Sequence, residues 1–156
     1  MIRFALSDIC DRLNGKQLRA DAQFSSVSTD SRRIESGDLF IALQGPRFDG
    51  HDYLTQVAEQ GAVAALVSRA VDVDLPQLLV VDTRIGLGQL ASLWRERSAA
   101  PLVAITGSNG KTSVKEMVAA LLSGKGSVLS TRGNLNNDIG LPLTLLELQA
   151  HDYAVV

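Results

Sequence analysis

A glycine-containing loop between an apolar segment and an amphipathic segment is the strongest constraint on the fold of this 156-residue chain. The apolar segment, 102–105, reads Leu-Val-Ala-Ile and predicts a buried strand of a parallel sheet. The loop, 106–110, reads Thr-Gly-Ser-Asn-Gly. Apolar residues at helical spacing follow it and predict a helix: Val114, Met117, Val118, Leu121 and Leu122. The order strand, glycine loop, helix predicts an α/β fold with a parallel sheet.

The same loop has the chemistry of a phosphate-binding site. Gly107 and Gly110 allow backbone angles that are closed to other residues, so successive N–H groups can converge on phosphate oxygens at the positive end of the next helix. Lys111 can reach the terminal phosphates, and the Thr112 hydroxyl is placed to bind Mg²⁺. A nucleotide triphosphate is therefore the predicted ligand. The alternative is a plain strand-to-helix turn with an exposed lysine, because Ile105 stands where the longer phosphate loop has its first glycine.

Composition excludes several classes of function. The formal net charge is -2, and no cluster of lysine and arginine with aromatic residues suggests a nucleic-acid surface. Cys10 is the only cysteine, so an intrachain disulfide is excluded, and a reducing cytoplasm fits. The first residues form no signal-like apolar region, and no run approaches membrane-spanning length. We expect a cytoplasmic protein that neither binds nucleic acid nor inserts into a membrane.

Local patterns predict two small domains, 1–82 and 83–156. In the first, strands are predicted at 38–43, 64–67 and 78–81, and a helix at 51–60. Ser7 is expected to cap a short helix that runs through Leu13. The second domain opens with a helix whose apolar face is formed by the following residues, with the last predicted to lie in the core: Leu87, Leu90, Ala91 and Trp94. Residues 153–156 resemble the start of a buried strand, so we expect the second sheet to be truncated.

Three segments together resemble the Mur ligases of peptidoglycan synthesis. They are the loop 106–112, the run Ser-Thr-Asp-Ser-Arg at 28–32 and the Asp-Gly-His run at 49–51. Within that family, residues 133–142 are similar to the member that adds D-alanyl-D-alanine to UDP-N-acetylmuramoyl-tripeptide, whereas the member acting one step earlier has a threonine-rich version. The resemblance implies an N-terminal UDP-substrate-binding domain and the start of a P-loop ATPase domain, without the family's C-terminal domain.

The resemblance also implies a cofactor set, partners and site residues. ATP and Mg²⁺ would be used to form an acyl phosphate on the tripeptide, which the amine of D-alanyl-D-alanine then attacks, and the full-length protein would be a monomer. The implied ATP-binding residues are Gly107, Ser108, Asn109, Gly110, Lys111, Thr112 and Ser113, of which Lys111 and Thr112 are catalytic and Thr112 binds the metal. The implied substrate-binding residues are Ser31, Arg32, Asp49, His51, Asn134, Asn136 and Asn137.

Other interpretations of these residues remain open. Asp30 to Arg32 also fits a capped turn with a surface ion pair, Asp49 and His51 fit a helix N-cap region, and the asparagines fit a turn. The alternative functions are the preceding Mur ligase step, another P-loop ligase such as folylpolyglutamate synthase, and nucleotide-sugar binding without activity. We expect the 156 residues alone to form no amide product.

Overall fold

The computed structural model describes residues 2–133 and 135–156. These residues form two compact units, Ile2–Leu90 and Ala91–Val156. The division falls inside a helix, Thr83–Glu96, whose first residue is the expected start of the second domain. An α/β fold with parallel sheets is confirmed.

Short strands and helices alternate along the first unit, and a longer helix continues into the second. In chain order the elements are β1 (Phe4–Ala5), α1 (Leu6–Cys10), β2 (Lys16–Leu18), β3 (Gln23–Phe24), β4 (Ser26–Ser28), β5 (Asp38–Ile41), β6 (Gln44–Gly45), β7 (Phe48–Asp49), a 3-10 helix (Gly50–Tyr53), α2 (Leu54–Gln60), β8 (Ala64–Val67), β9 (Gln77–Leu79) and α3 (Thr83–Glu96).

A largely parallel sheet forms the centre of the first unit. Its strand order is β2-β9-β8-β5-β4, and β2 runs antiparallel to β9. Every residue of β5 and β8 is buried, as expected for parallel strands that are covered on both faces. Phe40 and Ala65 of the sheet share a buried cluster with Leu54 and Val57 of α2, which anchors this helix to the sheet.

Two helix starts differ from the sequence prediction. The helix predicted at 51–60 begins as a separate 3-10 turn, and α2 ends at Gly61 in the left-handed conformation (φ 109°). The prediction that Ser7 caps a helix is wrong, because α1 already begins at Leu6 and ends at Cys10. The Ser7 hydroxyl instead donates to Asp21 at 2.6 Å. Asp8 accepts the N–H of Ala5 at 2.9 Å and performs the capping.

A smaller parallel sheet forms the second unit. Its elements beyond α3 are β10 (Leu102–Val103), α4 (Lys111–Ser123), β11 (Val128–Ser130), α5 (Gly140–Leu146) and β12 (Tyr153–Val155). The strand order is β10-β12-β11, with both pairs parallel. Trp94 is fully buried, as predicted, and its indole N–H donates to the carbonyl of Leu148 at 2.8 Å.

The helix predicted after the glycine loop is present as α4, but its predicted apolar face is not the packed one. Val114, Met117 and Leu121 are exposed, whereas Lys115 is buried. The side of α4 that packs contacts β11 and β12, and Lys115 lies on that side. Along the described residues, no helix combines the length and apolar character that a bilayer crossing needs.

Candidate functional site

The loop between β10 and α4 has the backbone geometry that phosphate binding needs. Gly107 (φ 153°) and Gly110 (φ 77°) both adopt positive φ, and Gly110 is the residue immediately before α4. The first N–H groups of a helix lack carbonyl partners within the helix, so here they are available to an anion at the loop. The glycines found from the sequence thus occupy the positions where the chain requires them.

The two residues that open α4 lie beside this loop. The ammonium of Lys111 donates to the carbonyl oxygen of Gly107 at 2.5 Å, which holds it over the loop. Thr112, the second residue of α4, is exposed. Ser108, Asn109 and Ser113 are exposed as well. The seven residues predicted to bind ATP therefore form one continuous, accessible segment.

A small cavity of about 40 Å³ lies at the carboxyl ends of the three strands of the second sheet. Ligands of open α/β sheets gather at this edge. The ladder extends to the cavity, because Ile105 N–H donates to Val156 O (2.7 Å) and Thr131 N–H donates to Val155 O (3.1 Å). The lining residues are Ile105, Lys111, Thr112, Lys115, Thr131, Gly133, Asn136 and Val156.

Lys115 and Thr131 belong to this cavity and were missed from the sequence. The buried ammonium of Lys115 donates to the carbonyl oxygens of Thr131 and, at 3.3 Å, Gly133. The Thr131 hydroxyl is buried and has no hydrogen-bond partner among the described residues. The available signal was the spacing of Lys111 and Lys115, four residues apart and therefore on one face of a helix.

The predicted asparagines have different surroundings. Asn136 lines the cavity together with Lys111 and Thr112. The Asn137 side chain accepts the N–H of Gly140 at 2.7 Å and that of Ile139 at 3.3 Å, so it caps the start of α5. Asn134 lies outside the described residues. The arrangement brings one predicted asparagine to the phosphate loop and gives a second the turn role.

A larger cleft of about 570 Å³ lies in the first unit, beyond the carboxyl ends of β4 and β5. The lining residues are Thr29, Asp30, Ser31, Arg32, Phe40, Phe48, Gly50, Tyr53 and Gln56. Phe48 and Tyr53 are exposed, and aromatic faces of this kind can stack on a planar base. The cleft combines aromatic faces with hydroxyl, amide and guanidinium donors.

Asp30 and Arg32 form the ion pair that the turn interpretation expects. Arg32 Nε and an Nη donate to the two carboxylate oxygens of Asp30, each at 2.8 Å. This side-chain hydrogen bonding, together with the backbone N–H of Arg32, lowers the pKa of Asp30 to about 2. Ser31 and Arg32, which are predicted to bind the substrate, both line the cleft. Arg32 is also paired with Asp30.

Asp49 and His51 form a network just below the cleft, and Gly50 between them lines it. The buried His51 ring donates from Nδ1 to Asp49 at 2.5 Å and accepts the Ser68 N–H at Nε2 (2.9 Å). Partial burial opposes ionisation of Asp49, but hydrogen bonds from the His51 N–H, Gln44, the His51 ring and Arg69 outweigh it and hold the pKa of Asp49 below its ordinary value. Both ring nitrogens of His51 are used inside the protein.

Within residues 2–133 and 135–156, no group of three or more His, Cys, Asp or Glu side chains is arranged to hold a metal ion. The Mg²⁺ site at Thr112 stays a prediction, for which the exposed Thr112 hydroxyl beside the phosphate loop is the available oxygen donor.

The fold and the loop define a phosphate-loop α/β protein, and comparisons with known proteins narrow the class. Residues 23–124 match the Mur ligase family, catalytic domain, and residues 105–156 match the Mur ligase middle domain. The chain belongs to the Mur ligase family.

Similar proteins share one described activity. The chain is 54% identical to UDP-N-acetylmuramoyl-tripeptide--D-alanyl-D-alanine ligase of Escherichia coli over 100% of its own length and 35% of that protein. It is 44% identical to the same ligase of Synechocystis over 92% of this chain and 33% of the relative. The chain thus spans about a third of the length of the curated relatives it matches.

Solved structures of MurF also superpose on this chain. MurF from Acinetobacter baumannii superposes with a TM-score of 0.89 at 43% identity, covering 99% of this chain and 35% of that one. MurF ligase from Thermotoga maritima, solved in complex with ADP, superposes with a TM-score of 0.74 at 36% identity, covering 83% of this chain and 31% of that one.

Proposed function

We propose that this chain is the substrate-binding and nucleotide-binding portion of an ATP-dependent ligase that adds D-alanyl-D-alanine to UDP-N-acetylmuramoyl-tripeptide. One observation carries the proposal. The chain has a phosphate loop with Lys111 and Thr112 at the carboxyl edge of a parallel sheet, and it aligns over its whole length with a ligase of that description. The domains proposed for these two roles are 1–82 and 83–156.

The second unit supplies binding and charge for phosphoryl transfer. The loop amides and Lys111 hold the phosphates of ATP, and the Thr112 hydroxyl binds the Mg²⁺ that neutralises them. A carboxylate oxygen of the tripeptide forms a bond to the γ-phosphorus while the bond to the β–γ bridging oxygen breaks, which releases ADP. The amine of D-alanyl-D-alanine then attacks the acyl phosphate, loses a proton, and expels inorganic phosphate to leave an amide. This chemistry depends on positioning and charge stabilisation, which is what the loop offers.

The first unit holds the uridine end of the substrate in the cleft lined by Ser31 and Arg32. Support comes from the exposed rings of Phe48 and Tyr53, which can cover a pyrimidine, and from the donors around them. Asp49 and His51 act on the substrate indirectly, by fixing the backbone of Gly50 at the cleft wall. Asn136 contacts the substrate or its phosphates, and Asn137 supports the same segment by capping the start of α5. Asn134, which lies outside the described residues, stays a predicted substrate-binding residue.

The remaining features of the proposal are cellular. The protein acts in the cytoplasm as a monomer, without membrane insertion, on a nucleotide-sugar peptide. A single cysteine and a formal net charge of -2 support this setting over an export or nucleic-acid role. The preceding Mur ligase step is the second candidate, since it needs the same loop and the same uridine-binding unit.

Calorimetric titration tests the two binding roles separately. The chain is titrated with UDP-N-acetylmuramoyl-tripeptide and then with MgATP, alongside Lys111→Ala and the control Lys125→Ala, which changes an exposed lysine two residues beyond the end of α4. We expect both ligands to bind and Lys111→Ala to weaken MgATP alone. Binding of the dipeptide-linked precursor in preference to the tripeptide would favour the preceding step. Binding of ATP without the nucleotide sugar would reduce the proposal to a generic phosphate-loop enzyme.

A further inference from the structure

Lys115 is a buried cation that the phosphate-loop pattern does not include. Its side chain is buried, and its ammonium donates to the carbonyl oxygens of Thr131 and Gly133. No carboxylate pairs with it among residues 2–133 and 135–156. Burial of a charge is unfavourable unless the charge is paired, and two neutral carbonyls compensate only part of that cost. An anion beside Lys115 would complete the compensation.

The position of Lys115 on α4 increases the local excess of positive charge. Lys111 and Lys115 lie one turn apart on the same face, near the positive end of the helix. Like charges at this spacing repel, and cations are disfavoured at a helix N-terminus. The arrangement is therefore unfavourable for the protein by itself, and it becomes favourable when a multiply charged anion binds between the two ammonium groups.

Two hydrogen-bond donors in the cavity are available to such an anion. A lysine ammonium has three N–H donors, and the carbonyls of Thr131 and Gly133 account for two of them. The Thr131 hydroxyl is more than nine-tenths buried and has no partner in the described part of the chain. Lys115 and Thr131 both line the cavity that Lys111 and Thr112 also line.

We propose that Lys115 supplies a second positive charge to the terminal phosphoryl group and so makes the site prefer ATP to ADP. The proposal rests on the proposed function, because it takes the cavity to be the γ-phosphate end of an ATP site. Lys111 and Thr112, the residues that would hold the terminal phosphates and a Mg²⁺ ion, line the same cavity, so donors that share it would face the terminal phosphate rather than the adenosine end. The two carbonyl contacts orient the ammonium of Lys115, and its positive charge binds the terminal phosphate.

Nucleotide titration of Lys115 variants tests this charge role. MgATP and MgADP are titrated into the unaltered chain, Lys115→Met, Lys115→Gln, Lys115→Arg and the exposed control Lys125→Met, with circular dichroism to verify folding. Loss of a charged hydrogen bond predicts that Lys115→Met and Lys115→Gln weaken MgATP about tenfold or more, with MgADP within about threefold. Lys115→Arg keeps the charge, so it retains the preference for ATP. Lys125→Met changes neither affinity.

The outcomes separate this inference from the proposed function. Equal loss of ATP and ADP affinity, or an unchanged ATP-to-ADP ratio, would reduce Lys115 to a tether for the 131–133 segment and overturn the inference. If Lys111→Ala still weakens MgATP in that case, the phosphate site stands without it. If the unaltered chain binds neither nucleotide, the site and the inference both fall. Should Lys115→Met unfold, the Gln variant decides, because its amide can still donate to the carbonyls without carrying charge.

Discussion

The partly buried carboxylate of Asp49 and the buried imidazole of His51 form a pair in which Nδ1 lies 2.5 Å from a carboxylate oxygen. The same oxygen accepts the backbone N–H of His51 at 2.9 Å, so one side chain caps the 3-10 turn and orients the ring. Because Nε2 accepts the Ser68 N–H, the ring links the turn to the end of β8. The pair therefore fixes the wall of the cleft at Gly50.

We expect Asp49→Ala to lower the free energy of unfolding by about 2–3 kcal/mol, because it removes the cap and leaves a buried ring N–H without an acceptor. Urea denaturation at pH 7 measures the change. Asp52→Ala is the matched control, since the Asp52 carboxylate shares Arg69 but is not a hydrogen-bond partner of the His51 ring, and its cost should stay within about 0.5 kcal/mol. Equal effects of the two variants would show that the His51 contacts add nothing.

The ion pair of Asp30 and Arg32 predicts a titration. The pKa of Asp30 is about 2 in the folded chain against an ordinary value of 3.8. A lowered folded pKa means that the pair stabilises the fold above pH 3.8 and that this contribution disappears as the pH falls toward 2. We expect Arg32→Ala to return the pKa of Asp30 toward 3.8, as followed by carbon NMR of its carboxyl group. Arg47→Ala, in the exposed loop after β6, should leave that pKa unchanged.

Gly110 and Gly88 form a matched pair for testing the phosphate loop. A Cβ at either position would meet no atom within 4 Å, but only Gly110 has a positive φ, of 77°. Gly110→Ala should therefore cost about 1–2 kcal/mol in stability through backbone strain and weaken MgATP binding. Gly88→Ala, inside α3, should instead stabilise the chain by about 0.5–1 kcal/mol. Thermal denaturation and nucleotide titration of both variants check this, and a neutral Gly110→Ala would contradict the strained geometry.

The local sequence pattern was enough to predict β5, β8 and the loop, whereas the buried strand predicted at 102–105 is wrong in extent and burial, because β10 ends at Val103 and Val103 is exposed. The continuous apolar runs at β5 and β8 indicate strands that are buried on both faces. The glycines at 107 and 110 indicate positions where the backbone has a positive φ. The packed face of α4 could not be predicted in this way. Helical spacing alone favours Val114 and Leu121 for the packed side, whereas contact with β11 and β12 selects the side of Lys115.

The residues of the candidate site also differ in whether the sequence alone could identify them. Lys111 and Thr112 follow directly from their place after the loop, but Lys115 and Thr131 become neighbours only when β11 lies beside α4. Their contact joins residues 16 positions apart, and nothing in the intervening sequence specifies it. His51 combines both cases. Its contact with Asp49 is local, while the donor to its Nε2 is the N–H of Ser68, which is 17 positions away.

Trp94 is the position where we expect a substitution to reduce the stability of the second unit most. Trp94→Phe removes the indole N–H that donates to the carbonyl oxygen of Leu148. The smaller phenyl ring also leaves space in a tightly packed core. We expect it to lower the free energy of unfolding by about 2–4 kcal/mol. Leu121→Ala is the control on the same unit, since Leu121 is 77% exposed, and its effect should stay within about 0.5 kcal/mol.

Urea denaturation followed by circular dichroism compares both variants, because Trp94 is the only tryptophan and its replacement removes the fluorescence signal. In the unaltered chain, that fluorescence reports the unfolding of the second unit. A Trp94→Phe cost as small as that of Leu121→Ala would mean that the indole hydrogen bond and the core volume do not hold this unit together. A large Leu121→Ala cost would instead mean that the exposed face of α4 is covered in solution.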